Sequence, residues 1–150
     1  MSKRIMNELT DEGVVKSGVM SDEEVESMIQ KDFIANSGLI CIDAGDIKMI
    51  RDNSDFMDGN KKTCYARDMK EYLQSALTEV IKAHPDARLE KVAVKLLFNK
   101  ESELMMEEMS AINEVFDNLE GVELIWGIGR NENSHDGKIA ICIVAGFKNN

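Results

Sequence analysis

The sequence predicts an α/β fold, a two-layer sandwich with helices packed on a mixed four-stranded sheet, and three observations carry that prediction. Residues 67–84 and 104–119 repeat apolar side chains at intervals of three and four, the spacing that stacks them on one helical face. Residues 91–98, 122–128 and the stretch from Ile139 alternate in steps of two, as a strand with two different faces must. Strand 91–98 reaches strand 122–128 through a helix, and such a connection gives a parallel pair with a right-handed crossover.

A chain of 150 residues can bury roughly 68–70% of its unfolded surface, enough for one core. We therefore expect a single domain over 21–150, preceded by a mobile leader at 1–20 that carries Gly13 and Gly18 and shows no sustained period. A composition of 43% hydrophobic and 31% charged residues with a single proline belongs to an ordinary globular protein. No apolar run approaches the roughly 20 residues of a membrane helix, and the first residues lack an apolar signal core, so a cytoplasmic location is expected. The net charge of −10 argues against nucleic acid and anionic membranes as partners, because both attract basic patches. Cys41, Cys64 and Cys142 are odd in number and widely spaced, which suits small core side chains and neither a disulfide framework nor a metal site.

Taken in order, Ser21 opens the first helix with a capping box completed by Glu24, and Val25, Met28, Ile29 and Phe33 then share one face. Gly38 stops this helix after Asn36 and Ser37. Residues 39–42 form a short apolar run and 44–53 a short helix. Asp58-Gly59 reads as a turn between short strands at 55–58 and 62–66. The next helix presents Met69, Leu73, Ala76, Leu77, Val80 and Ile81 on one face, and Pro85 lies just past its end. In strand 91–98, Val92, Val94, Leu96 and Phe98 face one way and Ala93, Lys95 and Leu97 the other. Met105, Met109, Ile112, Phe116 and Leu119 line the following helix, with Gly121 at its C-terminal stop. Val122, Leu124, Trp126 and Ile128 alternate in one strand and Ile139, Ile141 and Ile143 in the last, and the polar loop ending in Asp136-Gly137 predicts that these two pair as a hairpin.

The most informative stretch is 38–50, where Asp43 and Asp46 sit three apart between an apolar run and an apolar-periodic segment. An Asp before such a segment is a good helix N-cap, and a second acid suits the first turn. On that reading Asp43 caps a helix carrying Ile47 and Ile50, and no chemistry follows. The order Gly38, Leu39, Ile40, Asp43, Asp46, Ile47 also resembles, without a gap, the acidic loop of the FtsZ/tubulin-like cell-division GTPases, whose pattern is GLINVDFADV. Further along, Leu104, Met106 and Glu108 match the family's L-x-L-x-E helix start. Ile125-Trp126-Gly127 is similar to its IxWG strand end and Gly146-Phe147 to its terminal GF, while Val144-Ala145 replaces the usual Ala-Thr and leaves the register of the last strand open by one residue.

The resemblance spans about 21–147 and implies the fold of the FtsZ C-terminal domain. It does not extend to the family's GTPase half, since the ten glycines are scattered and nothing matches the GGGTGTG loop that cradles phosphate. Gly127-Ile128-Gly129, the nearest cluster, ends a strand. Without that phosphate loop the chain is expected to bind no GTP of its own and not to be an enzyme, and no cofactor or metal is expected. The resemblance implies instead that Gly38, Leu39, Ile40, Cys41, Ile42, Asp43 and Asp46 form a loop that docks on a neighbouring FtsZ-type GTPase subunit. In the family such aspartates enter the neighbour's nucleotide pocket and help position the attacking water, which phosphoryl transfer requires. Cys41 stands where the family has Asn, which weakens the case for hydrolysis and leaves the docking shape intact.

Two other classes stay open: a scaffold that self-associates through a strand edge or helix face, and a small-molecule binder or enzyme with a pocket near Asp43 and Asp46. His84, before Pro85, suits a helix C-terminus; His135 beside Asp136 reads as a solvated loop histidine with no nucleophile near it in sequence. Trp126 reads as core, and Asp22-Glu23-Glu24 and Glu107-Glu108 as solvated helix faces.

Overall fold

A computed structural model describes residues 18–34, 42–98, 106–130 and 138–150. The chain runs α1 (Asp22–Met28), a π-helix (Ile29–Ile34), α2 (Ala44–Asp52), β1 (Phe56–Tyr65), a 3-10 turn (Ala66–Asp68), α3 (Met69–Lys82), β2 (Ala87–Phe98), α4 (Met106–Asp117), β3 (Glu123–Arg130) and β4 (Lys138–Asn149). The predicted α/β fold with a mixed four-stranded sheet and helices on it is the observed one. Most of residues 1–20, Gly38–Cys41, Leu104 and the 131–137 loop with His135 lie outside the described residues.

Several local expectations are met by their own chemistry. Ser21 Oγ accepts the Glu24 N–H and Glu24 Oε1 the Ser21 N–H, closing the capping box. α4 ends at Asp117, a little before the expected 119, and Gly121 stands in the turn beyond it at φ 75°, a left-handed conformation that side chains resist. β2 and β3 are parallel in the register Val92↔Leu124, Val94↔Trp126, Leu96↔Ile128.

Two expectations are overturned. β3 and β4 do not form a hairpin: the strand order is β1-β4-β2-β3, so β4 lies between β1 and β2 and is antiparallel to both. The cause is that Ala140, Cys142 and Val144 are apolar too, like the isoleucines that alternate with them, and every residue from Ile139 to Phe147 is buried. A strand apolar on both faces belongs in the middle of a covered sheet. Asp58-Gly59 is not a turn either, because β1 runs unbroken from Phe56 to Tyr65. The Asp58 carboxylate is buried and fully engaged, as described below, and a Cβ on Gly59 would lie 2.9 Å from Met28 Cε and 3.0 Å from the Ile143 carbonyl. Glycine is there for close packing, and aspartate for a buried bond.

Smaller differences have simple causes. The helix at 22–34 changes to π turns at Ile29, and β2 begins at Ala87 with Glu90 as an extra residue between the paired Leu89 and Lys91. The register of the last strand is settled by Ala145↔Val92 and Phe147↔Phe56.

Helices cover both sides of the sheet. Leu73, Ala76, Leu77 and Val80 of α3 and Ile112 of α4 pack on Val92, Val94, Leu96, Ile141, Ile143 and Phe147, forming the expected second layer. On the opposite face Val25, Ile29, Phe33, Ile42, Ile47 and Ile50 pack on Ala93, Leu97, Ala140, Cys142 and Val144. Gly146 is where the exit of α2 presses on β4: an added Cβ would meet Ser54 Oγ at 2.1 Å and Ile50 Cγ2 at 2.8 Å. Gly146→Ala is therefore expected to lower stability by about 1–3 kcal/mol, as overpacking does, read as an earlier urea midpoint with an unchanged slope. An unchanged midpoint would show that the α2 exit yields freely.

Candidate functional site

The acidic segment is built on the start of α2. Asp43, at φ −97° and ψ 178°, is the N-cap. Its Oδ1 accepts the Asp46 N–H at 2.9 Å, and Asp46 Oδ2 accepts the Asp43 N–H at 3.0 Å. This is a capping box in which aspartate takes both places, and it satisfies two donors that the first helical turn would leave open. Ile42 before the cap and Ile47 at the fourth helical position are 2% and 1% exposed in the same cluster, which is the apolar pairing that fixes how a chain enters a helix. Gly45 fits inside the box, where a Cβ would sit 3.2 Å from Asp43 Oδ1.

The structure thus gives Asp43 the capping role that the sequence alone suggested, and brings Asp46 to it. Capping uses one oxygen of each carboxylate. Asp43 Oδ2 and Asp46 Oδ1 make no hydrogen bond among the described residues, Asp43 being exposed and Asp46 half-buried. One carboxylate oxygen of each residue is therefore left outside the cap, on a turn seated on the buried Ile42 and Ile47. Next to them on α2, Met49 is 54% exposed. Lys48 pairs with Asp52 at 2.6 Å, and Arg51 pairs with Glu26 of α1. Of the other residues expected in the loop, Ile42 is core, and Gly38, Leu39, Ile40 and Cys41 lie outside the described residues.

A second polar centre was not foreseen. Asp58, 1% exposed, accepts hydrogen bonds from the N–H groups of Val19 at 2.8 Å, Met20 at 2.9 Å and Gly59 at 2.7 Å. His84 Nε2 lies 2.8 Å from its Oδ2. A carboxylate can only accept, so the ring proton sits on Nε2. The imidazole is held between Phe56 and Phe147, with centroids 4.7 Å and 4.8 Å away. His84 does follow a helix end, as expected, but its partner is a carboxylate 26 residues earlier in the chain, and no spacing rule would have joined them.

Two open clefts lie away from Asp43 and Asp46. One of about 350 Å³ is bounded by Phe56, His84, Pro85, Asp86 and Asn149, and one of about 280 Å³ runs between α3 and α4 along Leu77, Ile81 and Val115. Among the described residues no group of three or more His, Cys, Asp or Glu gathers where a metal could be held, and no helix is long and apolar enough to cross a membrane. Burial pushes the Cys64 thiol up to about 11 and the Cys142 thiol up to about 12, so both stay protonated and unreactive near neutral pH.

No protein-family model matches the chain, and no curated protein matches it. Solved structures do. A point-mutant form of FtsZ from M. jannaschii superposes with a TM-score of 0.57 at 16% identity, over 83% of this chain and 38% of that one. An empty FtsZ dimer from the same organism gives 0.50 at 16% identity, over 79% and 38%. TubZ of Bacillus thuringiensis serovar israelensis, in GDP-form protofilaments, gives 0.56 at 10% identity, over 83% and 36%. The shared property at these identities is the fold, that of the FtsZ C-terminal domain. The 150 residues span under two-fifths of the length of the proteins they match.

Proposed function

We propose that this chain is a non-enzymatic interaction protein that docks through the start of α2 onto an FtsZ-type subunit and modulates or caps filament assembly. The observation that carries the reading is the pair of carboxylate oxygens left outside the cap at Asp43 and Asp46, presented by a fold shared with proteins solved as a dimer and as protofilaments. No glycine-rich phosphate cradle occurs in the 150 residues, so the acidic turn has no nucleotide of its own to act on. A bound molecule would cover an open nucleotide-bearing end and offer none in return, which stops growth there.

Docking takes precedence over catalysis in this reading. Asp43 and Asp46 each commit one oxygen to the cap, and Cys41 replaces the family's Asn. Assembly of a full-length FtsZ-type GTPase, followed by light scattering, is expected to slow and plateau lower as this protein is added at substoichiometric amounts. Unchanged assembly at a large excess would sink the proposal.

A further inference from the structure

The imidazole of His84 is engaged at one nitrogen only. Asp58 holds its Nε2–H, so Nδ1 of the neutral ring carries a lone pair, and no described residue donates to it. Among the described residues Ser54 Oγ alone is a side-chain polar atom both buried and without a partner, so Nδ1 is accessible, on a side chain only 11% exposed. The ring borders the cleft of about 350 Å³ that also meets Phe56, Pro85, Asp86 and Asn149, a volume in the range of small-ligand sites.

The walls of this cleft are rich in acceptors and poor in donors. Pro85 has no N–H. The N–H groups of Ala83, His84 and Ala87 are engaged by the Glu79, Ile81 and His84 carbonyls, and that of Asn149 by the Asp55 carboxylate. The Asp86 carboxylate is exposed and forms no ion pair among the described residues, not even with His84 beside it. Two acceptors therefore stand apart in one cleft, each without a donor. No cation borders it, the buried Asp58 carboxylate stands behind the imidazole, and the chain as a whole carries a net charge of −10. Phe56 adds aromatic surface, on which planar cations rest favourably.

We propose that this cleft binds a guanidinium group. A planar cation with several N–H donors can give one to His84 Nδ1 and others to Asp86 at the same time, and charge-assisted bonds of this kind are the strong ones. An ammonium is a compact point charge with no flat face to set against Phe56. Asp58 is a positioning residue here: 1% exposed and itself held by the Val19, Met20 and Gly59 N–H groups, it fixes the ring proton on Nε2 and keeps Nδ1 an acceptor. This site is separate from the acidic turn, and nothing in it depends on docking there.

The test is titration of the full chain with free L-arginine and with the peptide Gly-Gly-Arg-Gly-Gly, followed by calorimetry and by heteronuclear NMR of the His84 ring nitrogens. Binding is expected to move the Nδ1 resonance while the Nε2–H signal persists. The tighter probe identifies the source of the group, a free guanidino compound or an arginine side chain of another protein. The peptide with lysine in place of arginine is expected to bind at least about tenfold more weakly. His84→Phe keeps the aromatic stack and removes the acceptor, and Asp86→Asn removes the exposed charge; each is expected to weaken the better probe at least about tenfold, as loss of one charge-assisted hydrogen bond does. Should His84→Phe not fold, Asp86→Asn decides alone, because its carboxylate supports no other described residue. Failure of both arginine probes to bind at up to about 10 mM, equal binding of the lysine peptide, or full binding by either folded variant would overturn the inference.

Discussion

Asp43→Ser/Asp46→Gln is expected to keep almost all of its stability and to lose its effect on filament assembly, whereas Asp43→Ala/Asp46→Ala is expected to lose that effect and clearly more stability. The difference lies in the cap. Serine followed three residues later by glutamine rebuilds the reciprocal bonds that Asp43 and Asp46 now make, so the first variant gives up only the favourable meeting of two acids with the helix dipole. That is about 1 kcal/mol, a fall of roughly 2–4 °C in a chain of this size. The alanine pair also leaves the first-turn donors open, and a total of about 2–3 kcal/mol is expected. Docking depends on the oxygens outside the cap, so removal of both charges is expected to weaken partner binding at least about thirtyfold, in the range found for buried interfacial charges. Calorimetric melting and a binding isotherm on both variants separate the two roles. Full binding by the serine–glutamine protein would reduce the acidic turn to a cap and nothing more.

The largest loss of stability is expected at Asp58. Its carboxylate receives the Val19, Met20 and Gly59 N–H groups and the His84 ring proton, and Asp58→Ala leaves those donors facing a cavity. Breaking a buried polar group of this kind costs about 3–5 kcal/mol, which in a protein of this length lowers Tm by about 10 °C. His84→Phe keeps the ring stack on Phe56 and Phe147 and leaves Asp58 three donors, so about 1–2 kcal/mol is expected. Urea melts of the two variants check the order. Equal losses would mean that the imidazole bond alone holds this corner and that the Val19 and Met20 bonds contribute little.

Legibility followed the range of the interaction. The face of α3, the Ser21 box, the Gly121 turn and the cap at Asp43 are local, set by residues three or four apart, and the sequence displays them directly. The order of strands is not local. Nothing in the polar residues of 131–137 says that the next strand passes over β2; only the apolar character of both faces of Ile139–Phe147 carries that information, and the alternating isoleucines masked it. Asp58 misled for a related reason. Asp-Gly is a strong turn signal when its carboxylate faces water, and it loses that meaning when backbone donors from Val19 and Met20 arrive from elsewhere in the chain. Lys95 was placed on the correct face of its strand, with Ala93 and Leu97, but only the Phe33 carbonyl of the π-helix, which accepts from its Nζ at 3.0 Å, reveals why a charge belongs there.

The central place of β4 bears on how the chain comes together during synthesis. β1 and β2 both hydrogen-bond to β4 and not to each other, so the two halves of the sheet have no seam until Lys138–Asn149 leaves the ribosome. Until then α3 has only part of its floor, and β1 offers a vacant edge to any other nascent strand. Lys138–Asn149 therefore acts as a keystone: closing the sheet depends on contacts between distant parts of the chain, and a chain cut before Lys138 leaves β1 without a strand to join it to β2.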